Sequence, residues 1–406
     1  MREVDPARIA RDIECIASFS ETDRSAGHSR PTFSPAWAQA REYVLQQARE
    51  AGCETRVDAA GNLHARRPSL GWDAPAWLCG SHIDSVPTGG RFDGVTGVVA
   101  ALEVLRAAPG APVELIVFAE EEGTTFGLGM LGSKAWAGAL DAAALSSVKN
   151  AQGQSFLEAG AAFGVDADRL AAERLEPSRY RGLVEVHVEQ GAGMWRANVP
   201  LAVVTAINGR RQYRCSLQGA ANHAGSTTME DRRDALAGAA EIIRYLESLA
   251  HDLADGSPRT VITVGRIEVH PNAINVIPGR AAFSIDFRSP SEAVIGRGEE
   301  RLLARLPRLA GARGLAIQLQ QTEILPVVPL DASVCQRLRE AAGRLGHSVP
   351  DAASGALHDS AILAPLVPTA MLFVASKDGI SHNPAEESRV EDIALAARVL
   401  VEAFQS

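Results

Sequence analysis

Residues 115–127, LIVFAEEEGTTFG, run from an apolar stretch directly into three consecutive glutamates, Glu120, Glu121 and Glu122. The apolar half belongs to VELIVFA, which has the length and composition of a buried β-strand. Three such acids taken alone are more often a solvated loop. At the end of a buried strand, however, they repel one another and are costly to bury unless cations neutralise them. The stretch therefore predicts a strand end that holds cations.

Composition limits the class of protein. The chain has 406 residues, which is too long for one typical core, so we expect two domains. Its net charge of −9 argues against a nucleic-acid or anionic-membrane surface. The first residues lack an apolar signal core, and no run of about 18 apolar residues occurs. Five scattered cysteines without a C-x-x-C pair indicate reduced, mostly buried thiols. We therefore expect a cytoplasmic protein with no membrane partner.

Strand-like and helix-like segments alternate through the first two hundred residues, as in GVVAALEVLRAA followed by VELIVFA. Short apolar strands separated by helices are typical of an α/β sheet that is covered on both faces. The strict alternation in LVEVHVEQG places its valines on one face of a strand and His187 with its glutamates on the other.

Residues 209–325 have a different pattern. Two helical segments and four amphipathic strands predict a smaller α+β domain with one exposed sheet face. After Pro326 the apolar strand and helix patterns return, for example in TAMLFVAS. The simplest organisation is an α/β domain, residues 1–208 and 326–406, interrupted by an inserted α+β domain at 209–325.

Metal-ligand residue types follow four of the predicted strands. GSHIDSVPTGGRFDG contains His82, Asp84 and Asp93, FAEEEG contains the three glutamates, EVHVEQG contains His187, and GISHNPAEES contains His382. Functional groups collect at the carboxyl ends of strands in open α/β sheets. Imidazole and carboxylate ligands suit Zn, Mn, Co or Ni. Each histidine alone is more often a satisfied polar residue, but the combination predicts a hydrolytic two-metal site with one acid free to move a proton.

The motifs GSHIDSVPTGGRFDGVTGV, FAEEEG, EVHVEQG, GAANHAGSTTMEDRRDAL, NAINVIPG, FSIDFRS and GISHNPAEES span nearly the whole chain. Together they resemble the amidase/hydantoinase/carbamoylase family of dinuclear metallohydrolases. Its members include N-carbamoyl-L-amino acid hydrolases, β-ureidopropionases and allantoate amidohydrolases. The resemblance implies a metallopeptidase-like catalytic domain with a mixed sheet flanked by helices. It also implies that the inserted domain is a dimerisation or lid domain of a homodimer.

The resemblance further implies two divalent metal ions per subunit, Zn, Mn, Co or Ni, that share one aspartate. The ligands of one ion would be His82, Asp93 and His187, and those of the other Asp93, Glu122 and His382. His187 stands where peptidase relatives of the family generally have a carboxylate.

The roles of the remaining acids follow from the same motifs. The acid pair of the family ends immediately before glycine, so Glu121 matches the general base and Glu122 the ligand. A register with Glu120 and Glu121 as the pair is the alternative. Asp84 would orient His82 without touching the metal.

Four further residues match substrate-contacting positions of the family. His223, in NHAG, matches a histidine from the neighbouring subunit that stabilises the tetrahedral intermediate. Asn275 and Arg288 match residues that bind the substrate carboxylate, and Gln190 lies at the rim of the site. Without the resemblance, Arg288 would be read as a strand-surface arginine.

Thr125, Thr228 and Leu357 stand where the family usually has arginine, proline and glycine. None of the three is an expected metal ligand, so hydrolysis is still expected while the substrate stays open. The favoured function is a metal-dependent amidohydrolase that cleaves a linear ureido or amide group from a carboxylate-bearing small molecule. An N-carbamoyl-L-amino acid is the first candidate and allantoate the second. His187 disfavours an aminoacylase or dipeptidase, and Glu121 disfavours a non-catalytic metal-binding protein.

Overall fold

The computed structural model describes residues 3–23, 25–254 and 260–405. The chain forms two compact units: the first is Met1–Thr205, Leu330–Ala352 and His358–Ser406, and the second is Ala206–Pro329 with Ala353–Leu357. The division lies within a few residues of positions 208 and 326. The short segment 353–357 was not expected in the second unit. The amide of Asn208 donates to the carbonyl of Ser354 at 2.9 Å and ties the segment there.

The regular elements are numbered in chain order. The strands are β1 (Glu54–Val57), β2 (Leu63–Arg66), β3 (Ala76–His82), β4 (Val113–Phe118), β5 (Tyr180–Val188), β6 (Leu201–Ile207), β7 (Gly209–Gln218), β8 (Val261–Thr263), β9 (Ile267–His270), β10 (Arg280–Ser289), β11 (Ala316–Leu325), β12 (Val328–Pro329), β13 (Asp351–Ser354) and β14 (Thr369–Val374). The α-helices are α1 (Pro6–Ser18), α2 (Pro35–Glu50), α3 (Val95–Ala107), α4 (Leu131–Trp136), α5 (Ala142–Ser147), α6 (Phe156–Gly160), α7 (Gly193–Ala197), α8 (Ala235–Ala254), α9 (Glu292–Ala312), α10 (Ala332–Arg344), α11 (Asp359–Leu363) and α12 (Val390–Gln405).

The first unit is built on a mixed sheet with the strand order β1-β2-β4-β3-β5-β14-β6. Its four central strands, β4, β3, β5 and β14, run parallel to one another. The outer pairs β1–β2, β2–β4 and β14–β6 are antiparallel. The predicted mixed sheet is confirmed.

Helices cover both faces of this sheet, as expected. Helix α3 is buried along its whole length and packs against β3, β4 and β5 under α1 and α12. Gly97 permits this close approach, because a Cβ atom there would lie 2.4 Å from the carbonyl oxygen of Val186. The opposite face carries an apolar cluster that includes Phe118, Trp136 and Leu363. Burying each such side chain stabilises the fold by about 1.5–3 kcal/mol.

The parallel strands decide where the functional side chains meet. Parallel neighbours end at the same edge of a sheet. Strand β3 ends at His82, β4 is followed by the three glutamates, and β5 carries His187 next to its last residue. The loop after β14 carries His382. Residues far apart in the chain are therefore brought together at one edge.

The second unit is an antiparallel sheet, β11-β7-β10-β8 with β9 also paired to β10, and helices α8 and α9 pack against it. The segment TVITVGRIEV, predicted as one strand, forms two. Residues 264–266 leave the ladder between β8 and β9, where the amide of Arg266 donates to the hydroxyl of Ser284 at 3.2 Å. A side-chain oxygen therefore takes the place of a ladder carbonyl at this point.

All five cysteines are free thiols, and four of them are buried, as predicted. Among residues 3–23, 25–254 and 260–405, no helix combines the length and the apolar character needed to cross a bilayer.

Candidate metal centre and active site

Asp93 is the centre of the candidate site. Its Oδ1 lies 3.1 Å from Nε2 of His187 and 3.9 Å from Nε2 of His82. Its Oδ2 lies 3.0 Å from Nε2 of His382. The two carboxylate oxygens thus face two different histidine sets, which is the geometry that a shared, bridging ligand requires. Asp93 lies in the loop between β3 and α3 and is only 4% exposed.

Two groups of ligand atoms share Asp93. In each group, atoms from three side chains lie within 4.8 Å of one another; the groups are His82–Asp93–His187 and Asp93–Glu122–His382. These are the two predicted ligand sets, and the structure brings all five side chains together.

Main-chain carbonyls orient two of the histidines. Nδ1 of His82 lies 3.0 Å from the carbonyl oxygen of Asp84, and Nδ1 of His187 lies 3.0 Å from that of Val188. A carbonyl can only accept a hydrogen bond, so each Nδ1 carries the proton and Nε2 is directed toward Asp93. The family resemblance implies that Asp84 orients His82. Its carbonyl makes that hydrogen bond, while its carboxylate Oδ2 accepts one from the amide of Glu122 at 3.0 Å.

The three glutamates occupy three different environments. Glu120 is fully buried with a φ of 56°, and its Oε1 accepts hydrogen bonds from the amides of Thr125 and Phe126, both at 2.9 Å. It therefore closes the turn that follows β4.

Glu121 and Glu122 face the metal-ligand side chains. Glu121 Oε2 lies 3.7 Å from Nε2 of His82, and Glu122 Oε2 lies 3.6 Å from Nε2 of His382. Burial, followed by the charges of Asp359 and Glu122, raises the pKa of Glu121 well above its usual range. Burial and the charge of Asp93 raise the pKa of Glu122 to about 8.

The electrostatics of the cluster favour cations. Hydrogen bonding to Asp93 raises the pKa of His382 to about 9. Burial alone would lower the pKa of His187, but its hydrogen bond to Asp93 raises that pKa to about 9. Burial would raise the pKa of Asp93, yet the hydrogen bonds from the two histidines hold it well below its usual range. Positive charge on both sides of Asp93 is therefore stabilised.

The donor set fits divalent metal ions. Imidazole nitrogens and carboxylate oxygens are the ligands that Zn, Mn, Co and Ni share. Oε1 of Glu122 and Oδ1 of Asp84 are buried and lack a hydrogen-bond partner among the described residues. A metal ion beside Glu122 would satisfy the first of these orphaned oxygens.

Two residues near the metal-ligand side chains, Glu185 and His358, were not among the predicted site residues. His358 packs edge-on against His187, with ring centroids 4.4 Å apart. Glu185, His187 and His358 form a third set of ligand atoms within 4.8 Å. Glu185 accepts hydrogen bonds from the hydroxyls of Ser81 and Ser360 at 2.7 and 2.5 Å. The alternation in LVEVHVEQG already placed Glu185 on the face of His187, so that signal was available. His358 lies in GALHD, directly after Leu357, so a motif signal was available for it as well.

Gln190 contacts the centre directly. Its Nε2 donates to Oδ2 of Asp93 at 3.0 Å, and its amide donates to the hydroxyl of Ser376 at 3.1 Å. Its φ of 54° is an uncommon conformation for a residue other than glycine. Such strain is found where surrounding structure requires one orientation.

Three predicted residues lie in the second unit. His223 is exposed, and its Nδ1 accepts hydrogen bonds from the amides of Gly225 and Ser226 at 3.1 and 3.2 Å. An accepting Nδ1 leaves the proton of the neutral ring on Nε2, so Nε2–H is available as a donor. Asn275 is exposed and its carbonyl accepts from the amide of Ala224 at 3.0 Å, which joins it to the loop of His223.

Arg288 lies near the end of β10 and is held by Asp286. Its Nε and Nη2 donate to the two carboxylate oxygens of Asp286 at 2.7 and 3.3 Å, and Nη1 donates to the carbonyl of Gly355 at 3.1 Å. Gln212 in turn donates to Asp286 at 2.8 Å. The guanidinium is therefore fixed in orientation by neighbours that sequence analysis did not name.

The chain is similar to proteins of a known family. The profile of Peptidase family M20/M25/M40 matches residues 78–406. The N-carbamoyl-L-amino acid amidohydrolase of Geobacillus stearothermophilus is 38% identical, covering 93% of this chain and 92% of that protein. The allantoate amidohydrolase of Escherichia coli K12 is 33% identical, covering 97% of this chain and 95% of that protein. A hydantoinase/carbamoylase family amidase from Burkholderia multivorans is 35% identical, with a TM-score of 0.92, and covers 99% of this chain and 97% of the solved chain. This chain therefore belongs to peptidase family M20/M25/M40, among its hydantoinase/carbamoylase amidases.

Proposed function

We propose that the protein is a metal-dependent amidohydrolase that cleaves a linear ureido or amide C–N bond in a carboxylate-bearing substrate, with an N-carbamoyl-L-amino acid as the favoured class. The observation that carries the proposal is the arrangement of His82, His187, Glu122 and His382 around Asp93, with Glu121 beside it. Hydrolysis of such a substrate gives the amino acid, ammonia and carbon dioxide. A cytoplasmic location stays a prediction.

Two divalent ions per chain are proposed, bridged by Asp93. His82 and His187 would complete the ligands of one ion, and Glu122 and His382 those of the other. When bound, the ions supply Lewis acidity and lower the pKa of a nucleophilic water. The charge preference around Asp93 supports this assignment. Ammonia release by protein reconstituted with Zn, Mn, Co or Ni in turn identifies the metal that supports the highest activity.

Glu121 is proposed as the general base. It would take a proton from water as the water oxygen attacks the ureido or amide carbon, and would return that proton to the leaving nitrogen as the C–N bond breaks. Glu121 lies 3.7 Å from His82, whereas Glu120 accepts hydrogen bonds from main-chain amides. Both observations support this register over the alternative pair Glu120 and Glu121.

Arg288 and Asn275 are proposed to bind the substrate carboxylate. A guanidinium makes bidentate, charge-assisted hydrogen bonds with a carboxylate. Asp286 and the carbonyl of Gly355 accept from three of its five N–H groups, which leaves one N–H on Nη1 and one on Nη2 for a substrate carboxylate. Gln190 would orient Asp93 at the rim of the site.

His223 is proposed to stabilise the oxyanion of the tetrahedral intermediate in the partner subunit of a homodimer. Its Nε2–H is available because Nδ1 accepts two amide hydrogen bonds. A positioned donor of this kind is worth about 3–4 kcal/mol of transition-state stabilisation. The second unit would then serve as the dimerisation or lid domain.

Complementation tests the shared site. Glu121→Gln and His223→Ala should each be nearly inactive as homodimers. After dissociation and mixing, half of the dimers should be hybrids, and each hybrid has one intact site. Activity should recover to about a quarter of wild type. Verified hybrids as inactive as their parents would show that His223 does not act across the interface.

A second candidate substrate is allantoate, which the relative from Escherichia coli is named for. Thr125, Thr228 and Leu357 depart from the usual motifs. The amide of Thr125 contacts Glu120, and Thr228 donates to Asp231 at 2.8 Å.

An aminoacylase or dipeptidase is disfavoured by His187, and a non-catalytic metal-binding protein by Glu121.

One screen tests the proposal. Purified protein reconstituted with Mn, Co, Ni or Zn is assayed for ammonia release from N-carbamoyl-L-amino acids, ureidopropionate and allantoate. The N-carbamoyl-L-amino acids should give the highest kcat/KM, and a chelator should abolish it. Release of amino acids from N-acyl substrates or dipeptides, without ammonia release from any ureido compound, would overturn the assignment.

A further inference from the structure

Glu386 is a buried carboxylate, 2% exposed, that connects two loops of the first unit. Its Oε2 accepts hydrogen bonds from the amides of Phe92 and Asp93 at 2.8 and 3.1 Å. Its Oε1 accepts one from the hydroxyl of Ser381 at 2.7 Å. One side chain therefore holds the loop that carries Asp93 and the loop that carries His382.

The loop of His382 needs such a contact. The side chain of His382 is 48% exposed, and its backbone has a φ of 53°, a conformation that costs about 1–3 kcal/mol for a residue other than glycine. Ser381, immediately before it, contacts Glu386. By contrast, His82 and His187 belong to central strands and are 1% exposed. The sheet thus positions two histidines, whereas the third depends on its loop.

The local sequence directs Glu386 inward. In NPAEE, the amide of Glu386 donates to the carbonyl of Asn383 at 3.0 Å, which closes a turn. On the opposite side, Gly90 leaves room for the carboxylate, because a Cβ atom there would lie 2.1 Å from Oε2 of Glu386. This contact explains the second glycine of TGGRFDG, for which the metal ligands alone supply no reason.

We infer that Glu386 is a positioning residue that sets the separation of Asp93 and His382, and with it the affinity of the ion held by Asp93, Glu122 and His382. The inference rests on the proposed two-ion function. It predicts that the two ions respond differently when Glu386 is lost. The ion held by His82, Asp93 and His187 keeps two ligands on strands. The other ion loses the hydrogen bonds by which Glu386 ties the loop of His382 to the loop of Asp93.

The test compares Glu386→Ala with Glu387→Ala. Glu387 is the matched control, since it is the adjacent glutamate but is exposed and paired with Lys377 at 2.6 Å. Each protein is stripped of metal, titrated with Mn²⁺ or Zn²⁺ by calorimetry, and analysed for metal content. Wild type and Glu387→Ala should each bind two ions. Glu386→Ala should bind one ion normally and the second about 10- to 100-fold more weakly.

Glu386→Gln separates hydrogen-bond geometry from charge. Its amide oxygen can accept the two amide N–H groups, and its NH₂ group can donate to the hydroxyl of Ser381. The second ion should therefore bind within a few-fold of wild type. Loss of the second ion in Glu386→Gln as large as in Glu386→Ala would overturn the inference.

Two further outcomes are decisive. Two ions bound by Glu386→Ala with wild-type affinity would overturn the positioning inference while leaving the proposed function intact. A wild-type protein that binds fewer than two ions would overturn the two-ion proposal and this inference with it. Should Glu386→Ala not fold by circular dichroism, Ser381→Ala replaces it; that variant should weaken only the second ion, by a smaller factor, and unchanged binding would overturn the inference.

Discussion

Most residues proposed to hold metal differ in solvent exposure from those proposed to bind substrate. In the first unit, His82, Asp93 and His187 are 1%, 4% and 1% exposed. In the second unit, His223 and Asn275 are exposed, and the side chain of Arg288 is 32% exposed. Burial of these three metal ligands excludes water, and the low dielectric strengthens their charge interactions, whereas the loop ligand His382 has a side chain that is 48% exposed. Substrate ligands must stay reachable, so hydrogen bonds rather than burial fix their orientation.

The largest effect is expected at Asp93, the centre of the buried group. Asp93→Ala removes the only ligand that both proposed ions share, so both ions and all measurable activity should be lost. Elemental analysis after dialysis measures this loss. Asp168→Ala, an exposed loop acid, is the control and should keep full metal content. Two ions bound to Asp93→Ala would contradict the bridging assignment.

The acid run gives the next largest effects. Glu121→Gln should keep both ions but lose several orders of magnitude in kcat, because the proton acceptor is gone. Glu122→Gln should lose metal affinity as well. Glu120→Gln should be mild, since a glutamine oxygen can still accept from the amides of Thr125 and Phe126.

Metal content and kcat of these three variants decide the register. If the strong effects fell on Glu120 and Glu121 instead, the pair would be shifted by one residue. Circular dichroism of each variant would exclude loss of folding as the cause.

In the exposed group, Arg288→Lys should reduce kcat/KM for the carboxylate substrate by about 30- to 1000-fold, or roughly 2–4 kcal/mol. Lysine cannot make the bidentate pair. Arg280→Lys, an exposed arginine at the other end of β10, is the matched control. Wild type should also discriminate between the free acid and its amide, and Arg288→Lys should lose most of that discrimination. Equal wild-type activity on acid and amide would rule out the carboxylate clamp.

The smallest effect is a pH dependence of the affinity for the ion proposed at Asp93, Glu122 and His382. In the metal-free protein the raised pKa values are about 8 for Glu122 and about 9 for His382. Each group holds its proton below its pKa, and a metal must displace it, so affinity should fall as pH decreases through this range. Each displaced proton lowers affinity by about tenfold per pH unit. Calorimetry in two buffers of different ionisation enthalpy measures proton release. A metal affinity that does not change between about pH 6 and pH 9 would contradict the assignment.

Sequence reasoning was strongest where a residue type and a strand end coincide. His82, Glu122 and His187 directly follow or end apolar segments that are recognisable as strands, so their convergence could be predicted from the rule for parallel sheets. The same reasoning was weakest for partners that lie on other segments. Asp286 and Gln212, which hold Arg288, have no local signature. The split of TVITVGRIEV into β8 and β9 also escaped prediction, since the hydroxyl of Ser284 that interrupts the ladder comes from another strand.

The sequence by itself determined the chemical types of the ligands, the alternation that places His187 on one face of β5, and the order of the motifs. Only the tertiary structure decided that Glu120 accepts main-chain hydrogen bonds while Glu121 and Glu122 lie near His82 and His382. It also decided which carbonyls orient the histidines and that Glu386 holds two loops together. The physical reason is the separation in the chain of the residues that interact. Periodicity and residue type are set by neighbours in the chain, whereas a hydrogen bond between residues 386 and 93 exists only after the strands between them have paired.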